Sequence, residues 1–212
     1  AFKQAAASPD ARIAADSQYQ LSLGLLAEAK YDEAAQALDA FVRKLNTSEV
    51  LPVALVKLGQ VQLRRQQFAE AEKAFTRVRQ EFANSSSAGE AAAGLGQCLM
   101  QRKQYEQAAR LFAEAVAKDP TTGAAESQFQ LGECYRLQGA PDKAVEEYLK
   151  VVILYGGAKD WAARAQYMVG QSYEALKDTA RAKEAYARVG HDFAEQKEWV
   201  DKANERLNAL GR

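Results

Sequence analysis

The sequence has 212 residues, of which one is histidine, two are cysteine and four are proline. With His191 as the single histidine, neither a histidine-based metal site nor a conventional Ser-His-Asp triad is expected. Cys98 and Cys134 cannot build the disulfide framework of a small secreted domain. An excess of either charge is missing too: 28 Lys and Arg balance 28 Asp and Glu. Phosphate binding leans on surplus Lys and Arg, so no nucleic-acid partner is expected. No apolar run approaches the roughly 18 residues of a membrane span, which argues against direct membrane insertion. The opening AFKQAAASPD has neither the charged head nor the apolar stretch of a signal peptide, and the missing initial Met fits a processed or excised chain. There is no Gly-rich phosphate loop, no HExxH and no CxxC. The carboxylates show no sign of the buried pair that acid–base chemistry requires. No enzyme activity, cofactor or metal is expected.

What remains is helix-forming. Ala, Leu, Gln, Glu, Lys and Arg dominate, and 48% hydrophobic with 26% charged residues is the balance of a folded chain. The sequence also repeats itself. LVKLGQVQLRRQQFAEAEKAF (55–75), AAGLGQCLMQRKQYEQAARLF (92–112), QFQLGECYRLQGAPDKAVEEY (128–148) and QYMVGQSYEALKDTARAKEAY (166–186) align without a gap. A weaker first copy is QYQLSLGLLAEAKYDEAAQAL (18–38). Ser22, Gly59, Gly96, Gly132 and Gly170 form one column, with spacings of 37, 37, 36 and 38. Ala34, Ala71, Ala108, Ala144 and Ala182 form a second, and Leu38, Phe75, Phe112, Tyr148 and Tyr186 a third.

Each copy reads as two helices. Tyr105, Ala108, Phe112, Ala115 and Val116 fall on one helical stripe, which excludes strand alternation. Breaks such as Lys118-Asp119-Pro120 and Gly139-Ala140-Pro141 separate the helices. Pro52, Pro120 and Pro141 stand where helices should begin. Glycine inside a helix costs about 1 kcal/mol against alanine, so a glycine column implies close packing. The alanine column is its expected partner, small against small. The reading is an all-α chain of stacked antiparallel helix pairs. Repeats lie at about 16–45, 53–82, 90–119, 126–155 and 164–194, and residues 196–210 form a capping helix. Residues 1–6 read as the tail of a preceding repeat.

These columns resemble the tetratricopeptide repeat family on Leu58-Gly59, Phe68, Ala71 and Phe75, and on Leu95-Gly96, Tyr105, Ala108, Phe112 and Asp119-Pro120. The period of 36 to 38 exceeds that family's usual value of about 34. The resemblance implies a right-handed α-solenoid whose first helices line a concave groove, and a non-catalytic scaffold that binds a peptide or partner protein there. Projected from the glycine column, the groove residues expected to bind a partner are Tyr19, Leu23, Gln60, Arg64, Gln97, Gln101, Phe129, Glu133, Arg136, Tyr167 and Gln171. Gln can meet a peptide backbone as both donor and acceptor, and the aromatics can serve as anchors. Packing between successive first helices is the competing reading of the aromatics. The segment EFANSSSAGEAAAGLGQCL (81–99) resembles a connection of bacterial cell-envelope members, Tol–Pal-associated or outer-membrane assembly lipoprotein-like, with Ala83 where those have Pro. That resemblance favours a periplasmic or envelope location, whereas two free thiols lean toward a reducing compartment. Self-association into a larger envelope or cytoskeletal assembly is the alternative function. Cys98 and Cys134 are expected as buried packing residues, His191 as a surface or cap residue, and Trp161 and Trp199 as packing residues at helix starts.

Overall fold

The computed structural model describes residues 11–44, 49–119 and 124–211. Among the described residues there are eleven α-helices and no strand. They alternate as first and second helices of hairpins: α1 (Ala11–Ala27) with α2 (Tyr31–Lys44), α3 (Leu51–Arg64) with α4 (Phe68–Glu81), then α5 (Ala88–Gln101) and α6 (Tyr105–Lys118). They continue as α7 (Ala124–Leu137) with α8 (Pro141–Leu154), α9 (Lys159–Ala175) with α10 (Thr179–Asp192), and a closing α11 (Lys197–Leu210). The chain divides into two compact units, residues 1–98 and 99–212. First helices start earlier than the repeats were drawn, at Ala11, Leu51, Ala88, Ala124 and Lys159. The expected tail at 1–6 and Pro120 lie outside the described residues.

The same backbone device ends every first helix. Lys30, Gln67, Gln104, Ala140 and Asp178 each donate a backbone N–H to the carbonyl five residues back, at 2.9, 2.8, 3.0, 3.0 and 2.9 Å. The residue before each has positive φ: Ala29 at 55°, Gln66 at 59°, Lys103 at 60°, Gly139 at 74° and Lys177 at 60°. This is a Schellman-type stop, which satisfies the last carbonyls and turns the chain sharply. Three second helices, α4, α8 and α10, end on aromatic residues: Phe82, Tyr155 and Phe193 return their N–H to Val78, Val151 and Val189. Three residues later the chain bonds back to each of those aromatics, from Ser85, Ala158 and Gln196. Pro52 and Pro141 open α3 and α8 as expected. Trp161 and Trp199 stand on the first turns of α9 and α11 and pack against buried clusters.

The core is built from the columns. Ala34, Ala71, Ala108, Ala144 and Ala182 are fully buried, as are Leu38, Phe75, Phe112, Tyr148 and Tyr186. One expectation is corrected. The nearest neighbours of the glycines are the large residues, not the alanines. A Cβ on Gly59 would stand 2.5 Å from the Phe75 ring, one on Gly132 2.6 Å from Tyr148, and one on Gly170 2.5 Å from Tyr186. A Cβ on Gly94, outside the column on α5, would also run into the Phe75 ring. The aromatic ring lies flat where a side chain would be, so glycine is the space that lets a six-membered ring fill the hairpin. Where the large column holds Leu38, the glycine column holds Ser22, whose hydroxyl donates to the Tyr19 carbonyl.

Candidate functional site

In unit 1 the expected groove residues occupy the first helices α1, α3 and α5. Tyr19 and Leu23 are half-buried, and the Tyr19 ring packs 5.4 Å from Phe41. Burial raises the Tyr19 hydroxyl above its ordinary pKa. Gln60 is exposed and its amide donates to Glu90 at 3.3 Å. Arg64 is exposed and lies 5.7 Å from the Tyr31 ring, on the rim of an open recess of about 560 Å³ that also includes Ala29, Asp32 and Arg65. Asp32 and Arg65 form an ion pair there at 2.7 Å. Gln97 is half-buried and has a partner of its own.

In unit 2 Gln101 is exposed at the end of α5. The two expected anchors are buried. Phe129 has no exposed surface; its ring lies 5.3 Å from Tyr148 and 5.3 Å from Trp161. Tyr167 is 9% exposed, 5.4 Å from Tyr186 and 5.8 Å from Trp199. Each ring bridges the large column of its own hairpin to the tryptophan of the next first helix. Their place in the stack is that of packing residues, so the surface available on this face comes from their polar neighbours.

Those neighbours form two carboxylate centres. Glu133 pairs with Arg136 at 2.8 Å and accepts the buried Tyr148 hydroxyl. One hairpin on, the carboxylate moves one turn along the helix: Glu174 accepts the Tyr186 hydroxyl and takes two bonds from Arg206 of α11, the Nε bond at 3.0 Å. Burial, reinforced by these carboxylates, pushes both tyrosine hydroxyls far above their ordinary values. The Arg206 hydrogen bond, aided by Tyr186, holds Glu174 below the usual carboxylate range against the effect of burial. Gln171, which takes the register position of Glu133, donates to the Tyr167 hydroxyl at 3.1 Å.

Cys98 and Cys134 are free and buried. Burial, with the charge of Glu133, pushes the Cys134 thiol up to about 12, which leaves it protonated and unreactive at neutral pH. His191 is exposed and lies 2.6 Å from Asp192. Among the described residues no group of three or more His, Cys, Asp or Glu is placed to hold a metal ion, and no helix is long and apolar enough to cross a membrane.

The projection missed Trp161, Arg164 and Trp199 as members of this face. A signal was available: Trp161-x-x-Arg164 and Trp199-x-x-Lys202 recur at a spacing of 38, the same as that between the last two glycines of the column.

No curated protein sequence matches this chain. Solved structures do match it. MamA from Desulfovibrio magneticus RS-1, from residue 41 to its end, is 21% identical with a TM-score of 0.72, covering 86% of this chain and 96% of that one. YrrB, a TPR protein with an unusual peptide-binding site, is 19% identical with a TM-score of 0.68, covering 96% and 98%. A putative kinesin light chain of nearly identical TPR-like repeats, from Podosopora anserina, is 20% identical with a TM-score of 0.68, covering 87% and 96%. At such identities the likeness is one of fold, and it places this chain among TPR-like solenoids. Models described as tetratricopeptide repeat match residues 19–86, 56–122 and 104–160, and a further one matches 164–195. With most of its length under those models, the chain belongs to the tetratricopeptide repeat family.

Proposed function

We propose that this chain is a non-catalytic scaffold that binds an extended peptide or a segment of a partner protein along the exposed faces of its first helices. One observation carries the reading. The residues that hold the hairpins together, the glycine, alanine and large columns, are buried, while Gln60, Arg64 and Gln101 stand exposed on the first helices and contribute little to that core. Stiff helices that present polar side chains already in place reduce the ordering cost of binding. The peptide-binding site named for YrrB, whose fold this chain shares, points the same way. An envelope location is part of this reading only through the resemblance of residues 81–99.

The test is peptide capture by the full chain with Gln60 and Arg64 of unit 1 changed together to Ala, and separately with Gln101 of unit 2 changed to Ala. Weaker capture at an unchanged Tm supports the first-helix face. Full capture moves the site elsewhere. Phe129 is unsuited to this experiment, because its removal would open the core.

Self-association keeps one observation of its own. Ile153 and Leu154, at the end of α8, are 74% and 66% exposed, uncommon for adjacent large apolar residues. Light scattering over a concentration series separates the readings: growth that Ile153→Lys abolishes supports assembly, and a strict monomer removes it.

A further inference from the structure

Arg164 lies on α9 one turn beyond Trp161, and its guanidinium is framed by aromatic rings. It stands 4.4 Å from the centroid of Phe129, 5.3 Å from Trp161 and 5.7 Å from Trp199. These rings come from three successive first-helix positions in unit 2: α7, α9 and α11. Guanidinium stacking on aromatic faces fixes the plane of the group while leaving its edge free.

That edge is unused. Arg164 makes no hydrogen bond and no ion pair among the described residues, whereas two other arginines of unit 2, Arg136 and Arg206, are engaged by Glu133 and Glu174. The local acids are already occupied. Asp160 stands one turn before Arg164, the usual place for a helical ion-pair partner, yet its carboxylate accepts the Trp199 indole N–H at 3.2 Å. Glu198 is paired with Lys202 at 2.5 Å, and Lys202 itself lies 4.1 Å from the Trp199 ring. The result is a planar cation with its five N–H donors unspent, held rigidly by rings and half-exposed. A fork of this kind matches a carboxylate in two parallel hydrogen bonds.

From this geometry we infer that Arg164, framed by Phe129, Trp161 and Trp199, is a recognition site for the side-chain carboxylate of an Asp or Glu within a partner's extended segment. The inference rests on the scaffold reading above and specifies the chemistry of its ligand. Charge complementarity selects the acid, and the half-exposed Trp161 and Trp199 supply apolar contact beside it.

The two tryptophans that frame Arg164 are the only ones in the chain, so tryptophan emission reports on this site alone. The probe is an immobilised array of random, C-terminally amidated peptides, each paired with a copy in which Asn and Gln replace Asp and Glu. The full chain is applied, and captured peptides are then titrated in solution while emission is followed. Binding at least tenfold tighter to the acidic member of a pair, a change in emission on binding, and loss of the preference to within twofold in Arg164→Gln are expected. Arg164→Lys keeps the charge without the fork and should retain part of the preference; it also serves if the Gln variant folds poorly. Capture without acid preference, or a preference that survives Arg164→Gln, overturns this inference and leaves the scaffold reading standing. No capture of any peptide counts against both.

Discussion

Units 1 and 2 fold the same hairpin with different chemistry inside it. In unit 1 the pairing of α3 with α4 is apolar at its centre: Phe75 fills the large column, and Leu55, four residues before Gly59, is 2% exposed. In the α7–α8 and α9–α10 hairpins of unit 2 both positions turn polar. The ring becomes Tyr148 or Tyr186, each with its hydroxyl on a glutamate. The residue four before the glycine becomes Gln128, which donates to buried Glu147, or Gln166, which donates to the Ala185 carbonyl at 3.1 Å. The choices go together. Phe75 occurs with Gln60 and Leu63 after its glycine, and the tyrosines occur with Glu133 or Glu174. A buried hydroxyl or amide is tolerated only with its acceptor in place, so tyrosine and carboxylate must arrive as a set. The backbone register is therefore indifferent to polarity, and polarity decides which hairpins depend on ionisation.

The largest effect is expected where the two units agree. Gly59→Leu in unit 1 and Gly132→Leu in unit 2 both drive a side chain into a fully buried ring. Each should destabilise its hairpin by roughly 1–3 kcal/mol or more, since a well-packed core absorbs extra volume poorly. Urea unfolding of both variants checks this. A midpoint unchanged from the parent would remove the glycine–ring pairing as the reason for the column.

Next comes the exchange of polarity. Leu55→Gln puts an amide into the apolar hairpin of unit 1 without a placed acceptor, and should cost about 1–3 kcal/mol, the range for a buried polar group left without its partner. Gln128→Leu removes one donor from Glu147 in unit 2, which keeps Lys150 at 2.9 Å, so its cost should be smaller. A larger loss for Leu55→Gln than for Gln128→Leu, read from denaturant midpoints, sharpens the contrast between the units. A Leu55→Gln variant as stable as the parent would break it, by showing that unit 1 can supply an acceptor after all.

The columns behind these predictions were legible from the sequence, because a repeat multiplies every signal. One glycine in a helix says little, but four at a single register say that the backbone is approached closely. The identity of what approaches was not legible. Glycine opposite alanine and glycine opposite a ring produce the same column, and only coordinates distinguish them. The site was half legible for a related reason. A helical projection places Phe129 and Tyr167 on the first-helix face, but it carries no information about the next helix in the row. There Trp161 and Trp199 cover them. Arg164 escaped because charged residues at helix surfaces are common. What sets it apart is its frame of three aromatic rings, a property of three-dimensional neighbours. Of the turns, the break at Gly139-Ala140-Pro141 was legible, because only Gly139 among the five positive-φ residues carries the residue type that signals such a turn.

A smaller effect separates the units by pH. The Arg206 hydrogen bond chiefly holds the folded Glu174 carboxyl below its ordinary range. A depressed carboxylate contributes stability that is fully present above the unfolded pKa and is lost as pH falls through the folded one. Glu174 therefore supports the α9–α10–α11 end at neutral pH, and its contribution declines below about pH 4.5. The difference in stability between the parent and Glu174→Gln should be largest near pH 7 and shrink toward pH 3. A difference that is constant across that range would mean that the glutamate acts by packing alone. The α3–α4 hairpin has no tyrosine–glutamate pair at the corresponding positions.

The smallest effect concerns the turns, where the units differ in residue type under one backbone. Unit 1 bends at Ala29 and Gln66, while unit 2 bends at Lys103, Gly139 and Lys177, all with positive φ. A residue with a Cβ in the left-handed region carries a cost of roughly 1–2 kcal/mol that glycine avoids. Glycine returns part of that through the greater freedom of its unfolded chain. Gly139→Ala should therefore cost about 1 kcal/mol or less, and Gln66→Gly should be neutral or stabilising by a similar amount. Opposite signs in the two variants, measured as Tm shifts, would show that the turns share one conformation regardless of sequence. Destabilisation by Gln66→Gly would instead mean that the Gln66 side chain holds its turn, and that unit 1 solves the bend in a way unit 2 does not.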